Sequence, residues 1–240
     1  MEETARFESV KIELQEPLGG VDSLSAVIGF PEWWPTGARI AVVIAHGDTD
    51  LNDPLVETFH RNLATKRFLT LRFNFPFAEA GGRLEDNSPV VLEKAYRAAL
   101  ALLGQDRTSA PTQLFLGGQG PGARVAAGLA ATRVQADGLF FLGFPLHAEA
   151  SPEQPEADSL YRIASPMLFV QGGKDPRCQL DVLRRTLSRV GAPTVLRIIE
   201  KTDGSLLPRE ASEREIRATS DTVSRVVGDW IEGILGNEPA

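Results

Sequence analysis

Residues Gln113–Ala131 read QLFLGGQGPGARVAAGLAA. An apolar run comes first, then a glycine-rich turn, then an alanine-rich segment of high helix propensity. Pro121 suits the first position of a helix, where a backbone N–H has no intrahelical partner to lose. The turn between strand and helix is centred on Gly120, a residue with no side chain. The stretch thus predicts a sharp strand–turn–helix corner over Gln113–Gly118 and Pro121–Thr132, with nothing reactive at its apex.

The same alternation extends in both directions. Upstream, RIAVVIAHG is a continuous apolar run ending in a turn, as expected of a strand buried on both faces. PLVETFHRNLATK follows with helical spacing, Asp53 as N-cap and Pro54 at the first helical position. RFLTLRFNFP is a second strand, and PVVLEKAYRAALALLG a helix closed by Gly104. Downstream come a strand at Leu139–Gly143, then PMLFVQGGKD, CQLDVLRRTLSRVG and TVLRIIE as strand, helix and strand. A last amphipathic helix is expected within Glu213–Leu235. The alternating runs RFESVKIEL and DSLSAVIGF predict an antiparallel pair at a sheet edge. Strands alternating with helices predict an α/β fold, a mostly parallel sheet with helices on both faces. Ligand sites in such sheets lie beyond the carboxyl ends of the strands.

At 240 residues the chain fits one large α/β domain, 1–240. It is 42% hydrophobic and 24% charged, with a formal charge of −7 and scattered basic residues, so no nucleic-acid groove is expected. The start, MEETARFESV, has no apolar core of a signal peptide, and no run is apolar enough to predict membrane association. Cys178 is the single cysteine, so an internal disulfide is impossible and a cytoplasmic location is expected. The polar segment HAEASPEQPEADSLYRIAS is too short for a lid domain. The Trp33–Trp34 pair in PEWWP is expected to pack over the first strands, with a partner patch as the alternative.

Six segments, IAHGDTD, LRFNFPFAEAGGR, GGQGPGARVAA, FLGFPLH, LFVQGGKDP and IIEKTDGSL, occur in an order that resembles the small, lidless α/β-hydrolases related to dienelactone hydrolases. The resemblance is strongest to bacterial predicted hydrolases grouped with the testis-expressed and NSL-complex hydrolase-like proteins, and it covers almost the whole chain. It implies an α/β-hydrolase fold. It also implies a serine in Gly-x-Ser-x-Gly, a later aspartate and a histidine near the end, in that chain order. Asp175 in QGGKDP matches the aspartate. Gly120 stands at the serine position, and Gly204 in KTDGS at the histidine position.

Two further residues depart from the resemblance. Pro121 has no N–H, yet the residue after the nucleophile normally supplies an oxyanion donor. Asp48 puts a carboxylate on the loop that normally supplies the other donor, where negative charge would be opposed. The expectation is therefore a hydrolase fold that has lost hydrolase chemistry: Gly120, Asp175 and Gly204 as vestigial triad positions, meeting at one sheet edge. His46, Gly47, Asp48, Gln119, Pro121 and His147 are expected to line a pocket for a small molecule or protein partner, with no cofactor and no metal. The amides of Gly122 and Ala123 are expected to face it and favour an anion.

Other residues have weaker functional readings. His46 is expected to brace its loop, His147 to brace or face the site, and His60 to lie on the surface. Cys178 reads as a half-buried cysteine at a helix start, and Ser205 as a turn serine. GQGPGA at Gly118–Ala123 meets a loose dinucleotide pattern, but no acidic residue ends the next strand. DTDLND lacks the glycine and glutamate of a calcium loop, so it reads as an acidic loop with a helix cap. The alternative expectation is an active hydrolase on an ester or lactone with a non-standard nucleophile and base. A third is a protein-interaction module built on the Trp33–Trp34 loop.

Overall fold

The computed structural model describes residues 5–32, 39–104, 110–132, 134–208 and 210–236. Trp33 and Trp34, and with them the reading of that loop, lie outside the described residues. Eight strands form one sheet: β1 Ala5–Leu18, β2 Val21–Pro31, β3 Ile40–Ala45, β4 Leu69–Phe73, β5 Gln113–Gln119, β6 Gly138–Leu142, β7 Met167–Gly172 and β8 Thr194–Ile199. Their spatial order is β1-β2-β4-β3-β5-β6-β7-β8. β1 pairs antiparallel with β2 and β2 antiparallel with β4, while every pairing from β4 to β8 is parallel. The antiparallel pair at a sheet edge is therefore as expected. Its strands run longer than the alternating runs because Gly19 and Gly20, both at positive φ, close them into a hairpin.

The helices are α1 Pro54–Thr65, α2 Pro76–Glu79, α3 Pro89–Leu103, α4 Pro121–Ala131, α5 Leu180–Leu187 and α6 Glu213–Gly236. Alternate residues of the central strands feed two separate cores. Ala41, Val43 and Ala45 of β3 join Leu92, Ala95 and Tyr96 of α3 and Val125 and Ala126 of α4. Val42 and Ile44 join Leu55, Phe59 and Leu63 of α1 and Val223, Val227 and Ile231 of α6. This is the period-two side-chain geometry of a strand covered on both faces. Tyr96 is fully buried in the first of them. Its hydroxyl accepts from the Gly117 N–H at 3.2 Å and lies 2.9 Å from the Gly117 carbonyl and 3.1 Å from that of Val43.

Asp53 caps α1 as expected, its Oδ1 accepting from the Leu55 and Val56 amides at 3.0 and 3.2 Å with Pro54 in the first turn. α2 was not foreseen, being too short to show a helical period. His60 on α1 is a correction. It is only 1% exposed, because the β1–β2 hairpin folds over α1 and sets the Phe7 ring 5.5 Å from the imidazole. Neither ring nitrogen makes a well-formed hydrogen bond, although the Thr70 and Val27 backbone lies close enough to favour the charged ring; burial, with the Arg72 charge next, outweighs them and lowers its pKa to about 3. Among the described residues, no helix is long and apolar enough to cross a membrane.

Candidate functional site

β5 leaves the sheet at Gln119, and the chain reverses at Gly120 into α4. Gly120 has φ 51° and ψ −122°. A side-chain-bearing residue is strained there, and glycine is not. Its N–H donates to the Leu142 carbonyl at 2.8 Å, which fixes the corner against β6. A Cβ built on Gly120 would meet nothing within 4 Å, so the apex points into open space. The flanking glycines have a different cause. A Cβ at Gly118 would collide with the Gly122 backbone, and one at Gly122 with the His46 carbonyl. Strand, helix and the loop after β3 approach each other at backbone contact, so the glycine pattern is a packing requirement independent of chemistry.

Asp175 follows β7 and is 5% exposed. Its Oδ1 accepts from the Arg177 N–H at 2.9 Å and its Oδ2 from Gln171 Nε2 at 2.7 Å. Burial pushes its pKa up, against the opposing pull of the Arg177 amide and charge and of Gln171. Gln171 Oε1 is buried without a partner. The loop after β8 then brings Gly204 against this carboxylate: a Cβ there would stand 2.7 Å from Asp175 Oδ2. The loop is held from behind. Gly143, at φ 64°, has no room for a Cβ because the Gly204 carbonyl fills it, and Gly172 is likewise covered by the Asp203 carbonyl. Lys174 N–H donates to Thr202 O at 2.8 Å and Gly173 N–H to Ile199 O at 3.0 Å.

Gly120, Asp175 and Gly204 thus meet beyond the carboxyl ends of the parallel strands. They line one cavity of about 290 Å³ with Gly47, Asp48, Gln119 and Pro121. Sequence reasoning missed Thr49, Asp53, Pro176, Arg177, Asp203 and Ser205, which complete the wall. These lie beside recognised motif residues, so the neighbours of each motif were the available signal.

His46 and His147 do not line this cavity, and both expectations need correction. His46 is fully buried behind the wall. Its Nδ1 lies 3.0 Å from the Gly47 carbonyl and its Nε2 accepts from the Phe75 N–H at 2.9 Å, which makes Nδ1 the protonated nitrogen. Burial lowers its pKa to about 4. It braces the loop, with its ring edge-on to Phe75 and Phe77. His147 has the same arrangement: Nδ1 at 2.9 Å from the Ala148 carbonyl, and Nε2 accepting from the Gln179 N–H at 3.0 Å. It ties the β6 exit to the start of α5 and faces a neighbouring cleft of about 1000 Å³, which shares Pro121 and Arg177 with the smaller cavity. It does not bond Asp175.

Cys178 is 1% exposed, more buried than its position suggested, and burial, reinforced by Asp175, pushes the thiol up to about 12. A thiol so raised is inert. Ser205 Oγ donates to Asp203 Oδ1 at 2.7 Å and accepts from the Leu207 N–H at 3.2 Å, a turn serine as read. The amide of Ala123 is not free for an anion, because it turns back to the Gly120 carbonyl at 3.0 Å. Among the described residues, no group of three or more His, Cys, Asp or Glu is placed to hold a metal ion.

The sequence model of the alpha/beta hydrolase domain matches residues 38–232. The chain belongs to that family. Solved α/β-hydrolases share its architecture along nearly their whole length. The dienelactone hydrolase of Anabaena variabilis superposes with a TM-score of 0.73 at 17% identity, over 95% of this chain and 98% of that one. Est1E of Butyrivibrio proteoclasticus gives 0.72 at 12% identity, over 95% and 99%. A lidless α/β serine hydrolase of Xanthomonas campestris gives 0.65 at 16% identity, over 93% and 95%. At these identities the likeness is one of fold, and it bears out the expected lidless, dienelactone-hydrolase-like α/β-hydrolase architecture.

Proposed function

We propose that this α/β-hydrolase family member has lost hydrolytic turnover and keeps the cavity around Gly120 as a binding site. The observation that carries the reading is Gly120 itself. The apex of the strand–turn–helix corner, where the fold presents a nucleophile, is in the elbow conformation and has no side chain. Supporting it, Gly204 cannot take a proton, Pro121 cannot donate to an oxyanion, and Asp48 opposes one. Among the described residues, nothing else lining the cavity is paired as an activated nucleophile and base. Ser205 and Thr49 donate to carboxylates that already serve the loop and the α1 cap. The nearest histidines use both ring nitrogens elsewhere. A reducing, cytoplasmic setting suits the single buried thiol.

The test is hydrolysis of p-nitrophenyl acetate by the purified protein. The rate should equal that of a Gly120→Ala variant and of buffer with an equal mass of albumin. Turnover that a Ser205→Ala or His147→Phe substitution abolishes would overturn the reading in favour of an active hydrolase. Gly120→Ser alone should not restore activity. A missing oxyanion donor costs roughly 3–4 kcal/mol in the transition state, on the order of a hundred- to a thousand-fold in rate.

A further inference from the structure

Asn87 is a buried side chain whose amide has no partner. It is 8% exposed, and its Oδ1 is enclosed without a hydrogen bond among the described residues. Such groups are rare in folded proteins, because an unmet amide oxygen is costly. The Nδ2 end is turned toward the β1–β2 hairpin: a Cβ on Gly19 would stand 2.6 Å from Nδ2 and 3.4 Å from Cγ, with Oδ1 farther off. Oδ1 therefore points away from the hairpin. Asn87 belongs to the wall of the cleft of about 1000 Å³. The terminal torsion of asparagine is soft, so Oδ1 can meet a donor placed in that cleft.

Glu93 provides an independent observation on the same wall. Pro89, Leu92 and Glu93 of α3 all line the cleft, the spacing of one helix face. The Glu93 carboxylate is half-buried against α4, where a Cβ on Gly128 would stand 3.0 Å from its Oε1. Glycine at that position leaves the carboxylate its place. Glu93 has no hydrogen bond or ion pair among the described residues. The cations of the cleft do not answer it. Arg124 pairs with Glu156 and donates to the Pro145 carbonyl at 3.2 Å, and Arg177 lies where the cleft meets the smaller cavity. Backbone donors are missing too. Pro89 and Pro121, at the starts of α3 and α4, have no N–H, and Val90 and Gly122, whose amides come next, are not in the wall. Leu84, Leu92, Val125 and Pro145 make an apolar lining around these groups.

We propose that this cleft binds an aliphatic amine, its ammonium donating to Glu93 and to Asn87 Oδ1 and its alkyl body lying on the apolar lining. One buried acceptor and one unpaired carboxylate are the complement of an N–H cation, and an ammonium relieves the cost of both. A volume of about 1000 Å³ admits a small molecule with a chain of several methylenes. The site is separate from the cavity around Gly120, so the proposal stands whether or not that cavity is catalytic.

A 15N-NMR titration with n-hexylammonium tests it, with n-hexanol, hexanoate and ethylammonium as neutral, anionic and short-chain controls. Hexylammonium should saturate a site whose perturbed amides include Leu92, Glu93 and Gly128. Its affinity should exceed that of every control and fall about ten-fold in Glu93→Gln and in Asn87→Leu. Glu93→Gln keeps the shape of the side chain, so it carries the test if Asn87→Leu does not fold. Asn87→Asp, which only accepts, should bind at least as tightly as the unaltered protein. Equal binding of hexanol or hexanoate, shifts centred on Gly120 and Gly204 instead, or affinity unchanged in Glu93→Gln, overturns the inference. Ester turnover would sink the non-catalytic reading of the smaller cavity, whereas absence of amine binding sinks this inference alone.

Discussion

At the scale of the residue, glycine does two different jobs around the cavity. Gly120 has open space at its missing Cβ, so its substitution meets only backbone strain. Gly120→Ala should lower unfolding free energy by about 1–3 kcal/mol, read from urea denaturation. Gly143 has positive φ and no room besides. Gly143→Ala should therefore destabilise more than Gly120→Ala in the same assay, and an equal effect would mean that the loop carrying Gly204 yields freely. Gly204→His faces Asp175 at contact, so a histidine there requires the loop to retreat. The sequence makes the meeting of Gly120, Asp175 and Gly204 legible because each follows a recognisable strand. It does not reveal which way an imidazole points. His46 and His147 sit in motif segments, yet backbone carbonyls and amides take up both rings, and only the fold brings those partners together.

At the scale of the element, α1 shows both what local rules decide and where they stop. Asp53 and Pro54 mark its start in the sequence, and the cap forms as read. Asp53→Ala should cost about 1 kcal/mol of stability, measured by denaturant midpoint. The burial of His60 comes from the β1–β2 hairpin, a tertiary partner that helical periodicity cannot show. Its two nitrogens carry a desolvation cost that weak contacts with the Thr70 and Val27 backbone return only in part. His60→Leu should therefore raise stability, by about 1 kcal/mol or more. A loss of stability would show that the ring's packing against Phe7 outweighs the orphaned nitrogens.

At the scale of the whole molecule, alternation of strands and helices discloses the two-faced parallel sheet, because period-two burial and short connections are local. The interleaved order β2-β4-β3-β5 rests on pairings between distant segments and is invisible in any one of them. Acid sensitivity is also a property of the whole. His46 and His60 ordinarily titrate near 6.5 and are lowered to about 4 and about 3 in the fold. The unfolded chain binds more protons across that interval, so stability falls as pH drops from 6.5 toward 4 and, for His60, on to 3. Glu79, held near 2 by Lys11, Ser25 and Asn74 despite partial burial, adds a loss between 4.5 and 2. Asp53 and Asp175 are raised and act oppositely above 3.8. The urea midpoint should decline between pH 6.5 and 4, and His60→Leu should flatten that decline. An unchanged slope would show that His60 takes up a proton without penalty.

The loop after β8, wedged against Gly143 and Gly172 and tied to β7 by backbone hydrogen bonds, has a kinetic consequence. Under the proposed binding role, one wall of the cavity stands finished before a ligand arrives. In stopped-flow mixing, the observed relaxation rate should climb in a straight line with guest concentration. A plateau would reveal a slow opening step ahead of encounter.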